Sequence, residues 1–120
     1  GSGRMALRME ARRIGLAMQL TPQEWPHWLK HEPPSPCAQY HRPRRGTKLV
    51  TWSYWQLEPG VWVNQWQEIC VDEKLLPHFA TLPESVYKVE ADKQMITLYW
   101  GEKGELSVLQ DIDAVLKALA

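Results

Sequence analysis

Only two cysteines and a single phenylalanine occur in this chain of 120 residues, and its charges sum to zero at neutral pH. Two cysteines cannot supply a disulfide framework, so the fold must rest on a buried core. No stretch approaches the ~18 consecutive apolar residues that a membrane-spanning helix requires. With 44% apolar and 23% charged residues, the composition excludes a disordered chain, and the length fits one domain. Gly1-Ser2-Gly3-Arg4 reads as a vector-derived scar ahead of Met5, which sets the expected domain at 5–120. Arg8, Glu10, Arg12 and Arg13 interrupt Met5 to Leu20 too often for a signal peptide, so a cytoplasmic location is expected.

Catalytic signatures are missing as well. There is no G-x-S-x-G, no glycine-rich phosphate loop and no H-E-x-x-H. A Cys–His pair drawn from Cys37 or Cys70 is weak support for nucleophilic chemistry. Glu102 and Glu105 flank a turn and read as an exposed acidic tip, not as an acid/base pair in a cleft. The expectation is a protein that is not an enzyme and carries no cofactor.

What the chain does have is tryptophan, seven of them against that one phenylalanine. It also divides its charge. Residues 1–48 hold nine Lys/Arg against three Asp/Glu, net +6, and residues 49–120 hold five against eleven, net −6. Such a division suits an acidic or nucleic-acid partner for one part, or pairing of the chain with itself.

The apolar pattern predicts an α+β domain: a mainly antiparallel sheet of two hairpins, packed with short helices and a C-terminal helix. Ile14, Leu16, Met18 and Leu20 alternate and read as an additional N-terminal strand, in competition with a helical stripe of Leu7, Ala11, Ile14 and Met18. Thr21-Pro22-Gln23-Glu24 resembles a helix start, with Trp25, Trp28 and Leu29 on one face. Glu32 to Lys48, with four prolines, reads as a loop. Lys48–Leu57 and Val61–Val71 form the first expected hairpin, turning at Pro59-Gly60 so that Leu57 opposes Trp62. That register puts Trp52, Tyr54, Gln56, Val63, Gln65 and Gln67 on one face, unless a bulge exchanges partners. Asp72 is placed to cap a short helix with Leu75, Leu76 and Phe79. Val86–Ala91 and Gln94–Trp100 form the second hairpin, with Tyr87, Val89, Ala91, Ile96 and Leu98 on its apolar face. Ser107 and Gln110 suggest a capping box, followed by the stripe Ile112, Val115, Leu116, Leu119.

Three functional patterns compete. His27, His31, Cys37 and His41 are zinc-type ligands, but Cys70 lies outside the set, no C-x-x-C is present and three prolines interrupt it, so no metal is expected. Trp52 and Tyr54, with His41, Arg42, Arg44, Arg45 and Lys48 nearby, have the residue types of a single-stranded nucleic-acid surface. The zero net charge and the absence of RNP or G-x-x-G motifs make this the second choice. The first is a non-catalytic protein-binding module, acting as a regulator, inhibitor or adaptor, with another protein or a second copy as its partner. Trp52 and Tyr54 would anchor it, Arg42, Arg44, Arg45 and Lys48 would steer it, and Gln65 and Gln67 would orient it. Seven indoles exceed what a small core readily hides, which favours this reading.

Overall fold

Leu7 and Ala11 lie one helical turn apart and both are buried, so the helical stripe prevails at the N-terminus. In a computed structural model describing residues 2–120, it forms helix α1 (Ser2–Arg13). Gly15, at φ 75°, ends it: the Leu16 N–H reaches back to the Ala11 carbonyl at 2.8 Å, the Schellman closure that glycine permits. The expected strand therefore starts later, as β1 (Ala17–Thr21). The helix expected at Thr21 does not form. Thr21 is paired with Cys37 in the sheet, its hydroxyl accepts from Gln23 Nε2 at 3.0 Å, and residues 22–36 run irregularly.

The larger correction lies in the expected loop. Residues Cys37–Pro43 form β2, which pairs with β1 on one side and with β6 (Met95–Trp100) on the other. Prolines punctuate only its approach and its last position, leaving the interior free to pair. The remaining strands are β3 (Trp52–Glu58), β4 (Val61–Val63) and β5 (Val86–Ala91). Together they make one antiparallel six-stranded sheet in the order β1-β2-β6-β5-β3-β4. Helix α2 (Leu76–Phe79) has Leu75 as its N-cap without a side-chain bond, so Asp72 does not cap it as expected; its carboxylate accepts the Lys74 N–H at 2.8 Å in the turn that precedes the helix. Helix α3 (Leu106–Leu119) starts one residue before Ser107 and has Glu105 as its N-cap without a side-chain bond, so the expected capping box is not made. Its buried positions include Ile112, Val115 and Leu116 from the predicted stripe.

Both hairpin registers differ from the expected pairings, Leu57 opposite Trp62 in the first and Val89 opposite Ile96 in the second. Glu58 pairs with Val61, but a bulge then sets Gln56 opposite Trp62 and Trp55 opposite Val63. In the second hairpin Val89 opposes Leu98 and Ala91 opposes Ile96, which keeps these four residues on the expected face but not Tyr87. A bulge between Val86 and Lys88 turns Val86 to the helices and Tyr87 to the opposite side.

The ladders make the two faces easy to follow. Met18, Tyr40, Leu98, Val89 and Tyr54 form a row toward the helices, where they join Leu7, Phe79, Leu109, Ile112 and Leu116 in one core. The other face has a row from Gln19 through Gln39, Tyr99, Lys88 and Trp55 to Val63 and Ile69. Among the described residues, no helix covers that second face. Residues 22–36 cross it instead, and Gln39, Tyr99, Trp55 and Val63 along the row are buried, so this side of the two-layer fold is closed by irregular chain and not by a helix.

Candidate functional site

The helix-free face owes its aromatic character to alternation along β3, β5 and β6, and to indoles that segment 22–36 lays over it. Trp25 meets Tyr87 and Tyr99 edge-on, with ring centroids 6.0 and 5.8 Å apart. Its indole N–H donates to the Pro34 carbonyl at 3.0 Å, which holds the segment folded on itself. Trp28 meets Trp55 edge-on at 5.7 Å. Both added indoles stay half-buried. The Lys88 ammonium lies 4.6 Å from the Trp55 ring centroid and 5.0 Å from that of Tyr99, and 3.0 Å from a Glu90 oxygen. The Tyr99 hydroxyl donates to that same carboxylate, and burial followed by this bond raises its pKa. Lys88 is thus fixed between a carboxylate and two rings, a polar centre in an aromatic surround.

At the end of this face lies a cleft of about 730 Å³. His27, Trp28, Lys30 and His31 form one wall, Leu57, Glu58 and Pro59 another, and Gln67, Glu84, Tyr87 and Lys103 complete the rim. Gln56 forms part of its lining and is fully engaged: its amide donates to the carbonyls of Pro83 at 3.0 Å and Val86 at 2.7 Å, and accepts the Gly60 N–H at 2.9 Å. Beside the cleft the chain turns sharply after β4. The Asn64 side-chain oxygen accepts the N–H groups of Trp66 and Glu68, both at 3.0 Å, and Gln67 adopts a left-handed φ of 62°. This rigid turn displays Trp66 at 70% exposure, followed by Ile69 at 67% and Val71 at 82%.

The sequence-derived residues fall in several places. Trp52 and Tyr54 face the helices, with ring centroids 5.9 and 5.8 Å from Phe79, and are half-buried there. Arg42 donates to Asp113 at 2.6 Å and to the Ile14 carbonyl at 3.3 Å. Arg44 donates to the carbonyls of Val50 at 2.6 Å and Asp92 at 2.8 Å, and Arg45 to that of Lys117 at 3.1 Å, the last turn of α3. These guanidinium groups bind the fold together. Lys48 is half-buried, while Gln65 and Gln67 are exposed, and only Gln67 lines the cleft. His27, His31, Cys37 and His41 are not brought together, since His31 stacks near Tyr87 while Cys37 and His41 lie on β2, and no metal-holding cluster of three such residues occurs among the described residues. Burial and the charge of Glu102 push the Cys37 thiol up to about 11, far from an activated thiolate.

Sequence reasoning missed Trp25, Trp28, Trp55 and Lys88 as one surface. Their sequence signal was alternation in β3 and β5, hidden by the bulge and by the irregular path of segment 22–36. Comparison with protein-family models, curated proteins and solved structures gives no match for this chain. The class defined by fold and site is a two-layer α+β protein with an aromatic, helix-free sheet face.

Proposed function

We propose that this protein is a non-catalytic protein-binding module, a regulator, inhibitor or adaptor that docks its partner at the aromatic end of the helix-free face. The observation that carries this reading is Trp66, with Ile69 and Val71, held exposed by a hydrogen-bonded turn beside a large cleft. A preformed turn lowers the ordering cost of binding, and tryptophan is favoured at the energetic centre of interfaces. The complementary surface is an apolar patch with a polar rim that engages Lys30, Lys103, Glu58 and Glu84 around the cleft. Two free thiols, Cys37 and Cys70, fit a reducing, cytoplasmic setting. Single-stranded nucleic acid is less favoured, because Arg42, Arg44 and Arg45 direct guanidinium donors into the fold and not toward phosphates.

Affinity capture from the source cell tests this, using wild type, Trp66→Ala and, on the helical side, Leu106→Ala. A partner retained by wild type and Leu106→Ala and weakened by about 2 kcal/mol in Trp66→Ala is the expected result. Equal capture by all three chains overturns it.

A further inference from the structure

The two edges of the sheet are protected unequally. β4 is only three residues long, and the returning chain covers it through a Val63–Ile69 bridge and a Cys70 N–H bond to the Trp62 carbonyl at 2.8 Å. β1 has no such cover. Its five residues, Ala17–Thr21, include no charge, proline or glycine, and it pairs with β2 without a bulge. Among the described residues, no backbone hydrogen bond reaches its outer side. Leu20, on this edge, is 49% exposed. Sheet edges are normally guarded by charges, proline, bulges or a covering segment, and an uncharged, regular, open edge is a template for strand addition.

We infer that β1 is a self-association edge, and that a second copy of this chain pairs its own β1 antiparallel across a two-fold axis at Gln19. The two sheets then become one continuous sheet. This register sets Leu20 opposite Met18 of the second copy, and Ala17 opposite Thr21, so every cross-strand pair is uncharged and the exposed Leu20 gains an apolar neighbour. Pro22 ends the pairing, since it offers no N–H. The flanks match as well: Arg12, exposed at the end of α1, precedes β1 and the exposed Glu24 follows it, so the antiparallel arrangement puts Arg12 of each copy at the same end of the pair as Glu24 of the other, while Arg13 is already paired with Glu10. A foreign strand would need to supply that pattern by chance; a second copy carries it by symmetry. A five-residue edge is smaller than a standard interface of ~1,200 Å² or more, so the dimer forms in the micromolar range or weaker. This inference is independent of the aromatic end of the molecule.

Sedimentation equilibrium of the full chain, from micromolar to millimolar concentration, provides the test. Wild type and Val71→Lys dimerise as concentration rises, and Leu20→Lys weakens the dimer by about tenfold or more. Gln19→Cys adds a readout that does not depend on Leu20: the two-fold sets the new thiols face to face, so mild oxidation links it into a covalent dimer, whereas Thr21→Cys stays monomeric. A strict monomer at all concentrations overturns the inference. So does a dimer dissolved by Val71→Lys and not by Leu20→Lys, or crosslinking through Thr21→Cys and not Gln19→Cys.

Discussion

At the scale of single residues, the most consequential side chain is one that the sequence made look ordinary. Glu102 reads as part of an exposed acidic turn, yet its side chain is almost fully buried. Arg8 grips it with two bonds of 2.7 Å, the Tyr40 hydroxyl donates at 2.8 Å, and Arg4 stands 3.6 Å away. Burial alone would raise this carboxyl, but the bonds from Arg8 and Tyr40, with the charges of Arg8 and Arg4, outweigh it and hold the pKa below its ordinary value of 4.5. Because the folded group holds its proton less tightly than the unfolded one, its contribution is complete above that value and is lost as pH falls through the lower, folded value. Glu102→Gln is expected to destabilise by about 2 kcal/mol at pH 7 and by much less in strong acid, read from urea titrations across pH. A pH-independent loss would contradict the assignment. No spacing rule could have revealed this site, because its partners lie 62 and 94 residues away in the chain.

Among the elements, the turn between β4 and Ile69 has a three-residue loop geometry that ordinarily takes glycine at the left-handed position. Gln67 occupies it instead, at φ 62°. Gln67→Gly is expected to raise stability by about 0.5–1 kcal/mol, visible as a melting point a few degrees higher. A lower melting point would mean that the Gln67 side chain contributes more than its backbone costs. Elements with strong local signals were legible: the apolar stripe of α3, and the faces of β5 and β6 from Val89 to Leu98. β2 was not, since Ala38, Gln39 and His41 give little apolar alternation and its neighbouring prolines read as loop. What makes it a strand is pairing on both sides with β1 and β6, a non-local effect absent from its own sequence. The anchors Trp52 and Tyr54 were recognised as sharing a face; which face depended on a bulge at Gln56–Glu58 that no turn residue announced.

For the whole molecule, the division into basic and acidic parts now has a structural counterpart. Arg8 with Glu102 and Arg42 with Asp113 are ion pairs that tie the basic first part of the chain to the acidic remainder. The α+β class and the antiparallel sheet followed from composition and patterning, whereas the one-sided placement of the helices depended on the order of strands. That placement predicts a difference in local stability. In segment 22–36, few main-chain amides are bonded: Leu29 to the Pro26 carbonyl, Glu32 to that of Leu29, and Gln23 to the Ser35 hydroxyl. Hydrogen exchange is expected to open this segment first while β2, β5 and β6 remain protected, and simultaneous exchange of both would count against separate opening.

The lopsided layering also bears on how readily such a protein changes its target. Helices and sheet are cemented together on one side, whereas the stretch crossing the other is anchored at a few points, Leu29 and the indoles of Trp25 and Trp28. Changes at its exposed positions, such as His27 and Lys30 on the cleft wall, would alter what is recognised before they alter whether the chain folds, much as interchangeable tips share one handle.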